Sequence, residues 1–255
     1  VSDDSAIKEL VHFWSVGDLN WSTSAVPKYV HPEDREFFKS NPELVANVAS
    51  VPTACDKMAC GFHPRLLPVP YMGNLLGDSQ RADVFLLMTN PVVRYEDYVD
   101  SDNARFAQAW HENIAGKRET CLAWDSEGVG PTSWTRYYRD EVLGPTIQGH
   151  PGMCESLRTR LAILELVPYY SPNAECIKGE LLDALPSVRA ARRAAKYLEE
   201  RSHEGKAHLI VRWQNGCERW RICEDGENVV HSPARRGLSQ CAKRRLLEWL
   251  YAGRR

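Results

Sequence analysis

Apolar positions fall into two textures along this chain. Near the start, "SAIKELVHFW" spaces Ile7, Leu10, Val11 and Trp14 on one helical face. "HPEDREFF", from His31 to Phe38, has a proline and acids where a helix begins. The stretch from 51 to 80 is rich in proline and glycine and reads as an irregular connection. After it come four short apolar runs, "VFLLMT" (84–89), "AILELV" (162–167), "HLIVRW" (208–213) and "NVVH" (228–231). Between them lie helical patterns over 101–116, 133–144 and 186–202. A last helix is predicted over 239–253, with Ser239 as N-cap and Gly253 as C-terminal stop.

Strands that are apolar throughout, alternating with helices, predict a parallel sheet covered on both faces. The expected fold class is α/β: a three-layer α/β/α sandwich around a central, mainly parallel four-stranded sheet, with an N-terminal helical extension. Residues 1–69 are expected to form the extension and connection, and residues 70–255 the α/β/α domain.

In an open parallel sheet, ligands bind in the crevice at the carboxyl ends of the strands. The first run ends in Thr89-Asn90-Pro91. The second carries Glu165 near its end and leads into Pro168, Tyr169, Tyr170 and Ser171. The third ends in Arg212-Trp213 and the fourth in His231-Ser232-Pro233. An amide, a carboxyl, two tyrosines, a tryptophan and an imidazole on one rim suit a site that stacks on a planar ring and handles protons. Each has a plainer reading. Asn-Pro alone is a common turn initiator, and a histidine at a strand end is more often structural than catalytic. Glu165 is harder to dismiss, because a carboxylate in an apolar strand is costly unless it is paired or reaches a polar cavity.

Charge sharpens this picture more than composition does. The 255 residues are 43% hydrophobic and 26% charged, ordinary for a globular protein, with a formal net charge of -2. The charge is polarised, however: residues 151–255 are net positive and residues 1–150 net negative. Arg235, Arg236, Lys243, Arg244, Arg245, Arg254 and Arg255 crowd the end of the chain with Glu248 as their only acid, a pattern that suits phosphates or, more blandly, a solvated helix face. No apolar run is long enough to span a bilayer and the first residues lack a signal-peptide layout, so a cytoplasmic protein with no membrane partner is expected. The eight cysteines are then expected to be reduced thiols. Cys55, Cys60 and His63 have ligand-type spacing but fall one short of the four ligands of a structural zinc site, and no metal is expected.

The rim residues resemble the uracil-DNA glycosylase superfamily. "LLMTNP", within "LGDSQRADVFLLMTNP", is similar to that family's first motif, in which Asn or Asp stands beside Pro. "LELVPYYSP" resembles its second-strand base-reading segment, and "VVHSPARRGLSQCAKRRLL" its final His-loop-helix element. The resemblance covers roughly residues 70 to 250. It implies a monofunctional DNA glycosylase that flips a base, hydrolyses its N-glycosidic bond and leaves an abasic site, with DNA as partner, no cofactor, and a monomeric state. It implies catalytic roles for Asn90, which orients water, for His231, which donates to the departing base, and for Glu165, which reads the base. Pro91, Tyr169, Tyr170 and Trp213 would hold the base, and Ser171, Ser232, Arg235, Arg236, Lys243 and Arg244 the DNA backbone.

The chain departs from that pattern in three places. The fuller His-Pro-Ser-Pro is reduced to His231-Ser232-Pro233, which puts the shape of the backbone-pinching loop in question. Val92 and Val93 replace the residues that wall off 5-substituted pyrimidines. Glu165 stands where uracil-specific members place Asn. An ionised carboxylate accepts but cannot donate hydrogen bonds, so a modified cytosine, hydroxymethylated or glucosylated as in phage DNA, is the expected substrate, and uracil or damaged-base repair the alternative. Two rivals remain open: a hydrolase of free nucleosides or nucleotides, which would not need the basic last helix, and a non-catalytic nucleic-acid-binding module.

Overall fold

The computed structural model describes residues 4–20, 29–46, 61–77, 81–124, 132–150, 152–172, 179–223, 226–234 and 236–252. Its centre is a five-stranded, mostly parallel sheet. Strands β1 (Tyr71–Met72), β2 (Val84–Met88), β3 (Leu161–Glu165), β4 (His208–Arg212) and β5 (Val229–Ser232) lie in the order β1-β3-β2-β4-β5. Every residue of β2 and β3 is buried, the condition under which a strand reads as an unbroken apolar run.

The fifth strand corrects the expected four. β1 runs antiparallel to β3, pairing Tyr71 with Leu164 and Met72 with Ile163. Two residues carry no periodicity, and their pairing is imposed from outside. Asn113 Nδ2 donates to the Tyr71 carbonyl at 2.7 Å, and Asn113 Oδ1 accepts from Gly73 N at 3.1 Å. Gly73 has φ +110°, and a Cβ there would meet the Leu161 carbonyl at 2.5 Å, so the strand ends where only glycine fits.

The helices are α1 (Ser5–Ser15), α2 (Arg35–Ser40), α3 (Tyr95–Ser101), α4 (Ala104–Ile114), a π-helix (Thr135–Leu143) running into α5 (Gly144–Ile147), α6 (Met153–Arg160), α7 (Gly179–Ala184), α8 (Pro186–His203), α9 (Gly216–Trp220) and α10 (Gln240–Ala252). The single helix expected over 101–116 is interrupted: the Asn103 side chain accepts from Arg105 N and Phe106 N, capping α4 as a separate element. The predicted helix over 133–144 is wound as a π-helix. It gives way at Gly144-Pro145; Pro145 supplies no N–H, and its ring would clash with the Glu141 carbonyl in a regular α-helix. Of the last predicted helix, Gly253 lies outside the described residues.

The N-terminal segment is packed rather than appended. Ile7, Leu10, Val11 and Trp14 are buried, as their spacing predicts, and α1 packs on α8. Asp34, fully buried, accepts from Tyr169 Oη at 2.6 Å and from Ser187 N at 3.0 Å. One cluster of buried apolar side chains runs from Ile7 to Leu250. No described helix is long and apolar enough to cross a membrane.

Candidate active site

Parallel pairing sets the strand ends in register. Met88 pairs with Glu165, Leu87 with Val211, Val211 with His231 and Arg212 with Ser232. Because side chains alternate along a strand, Met88, Glu165, Arg212 and Ser232 share one face, and Leu87, Val211 and His231 the other. Glu165 and Arg212 therefore flank Met88 at the carboxyl edge, both fully buried.

The π-helix closes over this pair. Tyr138 Oη donates to Glu165 Oε1 at 2.5 Å, and Arg212 Nη1 reaches Tyr137 Oη at 3.4 Å while Nη2 reaches the Ala234 carbonyl at 3.1 Å. Glu165 Oε2 and Thr89 Oγ1 are buried with no hydrogen-bond partner among the described residues. Burial raises the Glu165 carboxyl to about 8, against the lowering influence of the Tyr138 hydrogen bond and the Arg212 charge. Burial thus favours the neutral form of the group, which offers one donor and one acceptor where the carboxylate expected from the sequence only accepts.

A second buried acid, Asp97, lies on α3. Asp97 accepts from Ser133 Oγ at 2.6 Å and from Arg94 N at 2.5 Å, and burial raises its carboxyl to about 7. Asp97, Ser133, Pro91, Tyr138 and Tyr170 help line a cavity of about 20 Å³, room for one water molecule. The Tyr170 hydroxyl accepts from Trp134 Nε1.

Pro91 borders this cavity, and the Asn90-Pro91 turn is clamped to the segment after β3. Asn90 Nδ2 donates to Ser171 Oγ at 2.8 Å and to the Pro91 carbonyl at 3.1 Å, and Ser171 N donates to the Pro91 carbonyl at 3.2 Å. Ser171 is thus a buried partner of Asn90 rather than a surface group.

His231 is placed differently from the expectation. It sits on β5, two strands from β2 or roughly 10 Å, and its Nε2 lies 2.5 Å from the Trp213 carbonyl. A carbonyl only accepts, so Nε2 carries the proton. The ring is directed at the Trp213 carbonyl. Trp213, half-buried, has φ 78°, a backbone strained for so bulky a residue and of a kind concentrated at functional sites. Arg212 lies 5.7 Å from the centre of its ring.

Other expected site residues separate into buried and exposed groups. Tyr169 belongs to the aromatic cluster of Trp14, Phe38 and Phe62, with its hydroxyl on Asp34, so its ring does not reach the rim cavity. Ser232 is fully buried and accepts from Ser239 N at 2.9 Å, a role in seating α10 rather than in holding phosphate. Arg236 is exposed, and Arg235 lies outside the described residues. Lys243 and Arg244 line a groove of about 540 Å³ with Pro145, Thr146 and Tyr251, where Arg244 and Arg245 share Glu248. Cys55 and Cys60 also lie outside the described residues. His63 is buried with Nδ1 2.5 Å from Tyr98 Oη, and no group of three or more possible metal ligands occurs among the described residues.

No protein-family model, curated protein or solved structure matches this chain. The site must therefore be read from its own geometry. Sequence reasoning missed Tyr138, Asp97 and the functional weight of Arg212. The signal for Arg212 was present: a cation ending the apolar "HLIVRW" raises the same question as Glu165.

Proposed function

We propose that this protein is a monofunctional DNA glycosylase, hydrolysing the N-glycosidic bond of a flipped, modified cytosine-type base. We read its helices and sheet as the three-layer α/β/α sandwich of the uracil-DNA glycosylase superfamily. The observation that carries the proposal is Glu165: a neutral carboxyl at the carboxyl edge of a parallel sheet, with Oε2 unpartnered, one strand from the Asn90-Pro91 turn.

A carboxylic acid presents a donor beside an acceptor, and the pairing edge of cytosine, N3 beside the N4 amino group, is complementary to it. Bond cleavage leaves the electron pair on the base and cationic character on the sugar, and water adds at C1′. Asn90, whose Nδ2 is held by Ser171 and Pro91, orients that water through its carbonyl oxygen. His231 binds the Trp213 carbonyl through Nε2, so Nδ1 is the ring atom left to face the departing base. Trp213, strained and half-exposed at the tip of β4, offers a stacking face, a contact worth roughly 1–3 kcal/mol. A cavity that holds one water must widen to admit a base, and the π-helix carrying Tyr137 and Tyr138 is the element that has to move.

The test is incubation with ordinary, uracil-containing and modified-cytosine phage DNAs, followed by alkali cleavage at abasic sites and mass spectrometry of the released base. Release from one of these DNAs is expected, and Asn90→Ala is expected to slow it about a hundredfold, the scale of one lost hydrogen-bonding group in a reacting site. The small size of the cavity favours a second reading, a nucleic-acid-binding module without chemistry. Salt-dependent DNA binding with no base released from any DNA would establish that reading instead.

A further inference from the structure

A groove of about 400 Å³ on the α7–α8–α9 surface is lined mainly by cations. Its lining includes Arg189, Arg192, Arg193, Lys196 and Arg221, with Asp183 as the single acid. Asp183 is shared by two guanidiniums, Arg192 Nη1 and Arg221 Nη2, the latter at 2.6 Å. Arg189 donates to the main-chain carbonyls of Asp183 at 2.9 Å and Ala184 at 3.1 Å, and among the described residues it has no carboxylate partner. Two guanidiniums thus share one carboxylate, and a third stands beside it on the main chain. Arg193 and Lys196 lie farther along α8 and pair with Glu9 and Glu199.

The arrangement is linear. Residues 189, 193 and 196 recur at four- and three-residue intervals, so they form one exposed stripe of α8. The stripe is about 10 Å long at 1.5 Å per residue, long enough to meet more than one phosphate of a strand. A single small anion would be met by converging cations, whereas a row meets a linear polyanion. The groove also adjoins the rim. Trp220, in its lining, donates Nε1 to the carbonyl of Met88, two residues before Asn90, at 3.1 Å.

We infer that the α7–α8–α9 groove is a nucleic-acid-binding track that holds backbone phosphates, distinct from the basic surface of α10. The inference stands on the groove itself and does not require the glycosylase reading.

The experiment is fluorescence anisotropy of the whole chain with a labelled DNA duplex of about two helical turns, over a salt series. The Arg189→Glu/Arg193→Glu variant is expected to bind at least tenfold more weakly, and its slope of log affinity against log salt to be shallower by about 2, near 0.9 per lost phosphate contact. Arg189→Lys/Arg193→Lys is expected to retain binding. If circular dichroism shows the reversed variant unfolded, Arg193→Ala/Lys196→Ala, both at exposed positions, gives the same readout at smaller amplitude.

Unchanged affinity and slope in a folded groove variant would overturn the inference. So would loss confined to Lys243→Glu/Arg244→Glu, or native protein that binds no duplex. Base release is scored separately, so groove-dependent binding without release refutes the glycosylase reading alone.

Discussion

Glu165→Ala is expected to lower base release about a thousandfold, whereas Glu165→Gln is expected to stay within about tenfold of the native rate. Alanine removes a donor and an acceptor from the proposed base edge, and a site built to hydrogen-bond its substrate discriminates by several orders of magnitude. It also leaves the Tyr138 hydroxyl, 2.5 Å from Glu165 Oε1, without that partner in a dry interior. Glutamine keeps the shape and, like the neutral acid, offers one oxygen acceptor and an adjacent donor. The pH profile separates the two protonation states. With the carboxyl raised to about 8, single-turnover release by the native protein falls as pH rises through 8, and in Glu165→Gln that fall disappears. A native rate that climbs through the same range, with Glu165→Gln as impaired as Glu165→Ala, would mean that the ionised carboxylate is the working form. The sequence-based expectation would then be reinstated.

The fold is expected to be more stable at pH 6 than at pH 8.5. Burial raises Asp34 to about 6, Asp97 to about 7 and Glu165 to about 8. In each case the folded state holds a proton that the unfolded chain releases near pH 4. Their contribution is complete below that value, declines as pH rises and is gone above the folded-state values. For Glu165, moving from 4.5 to about 8 at ~1.4 kcal/mol per pH unit is on the order of 5 kcal/mol. His31 and His208 act in the opposite direction. Burial lowers both, so their contribution is present above the ordinary histidine value and is lost as pH falls through the depressed one. Together they set a mildly acidic optimum. Urea unfolding at pH 6, 7 and 8.5 checks this, and Glu165→Gln should flatten the curve above pH 7. Equal or greater stability of the native protein at pH 8.5 would show that these carboxyls are ionised in the fold.

Four of the strands and the longer helices α1, α4, α8 and α10 were legible because their patterns are local, whereas the short α3, α6, α7 and α9 were not. "VFLLMT" and "AILELV" are apolar throughout because β2 and β3 are buried along their whole length, and α1 declared its buried face through Ile7, Leu10, Val11 and Trp14. Glu165 was legible as an anomaly for the same reason: nothing in a buried strand excuses a carboxyl. β1 was not legible, since Asn113, some 40 residues away, supplies its pairing geometry. The stripe on α8 is written in the spacing of 189, 193 and 196. That it borders a groove depends on where α7 and α9 pack.

By itself, the sequence determined four of the five strands, the longer helices between them, the mostly parallel character of the sheet and the polar residues gathered at its carboxyl ends, because spacing and alternation are properties of neighbouring residues. Only the tertiary structure decided which of those residues meet. It turned His231 onto the Trp213 carbonyl, sank Tyr169 beside Asp34, clamped Asn90 to Ser171 and set Tyr138 on Glu165. It also buried Glu165 and so raised its carboxyl, because the cost of a charge is set by the surroundings that packing creates, and those come from segments distant along the chain.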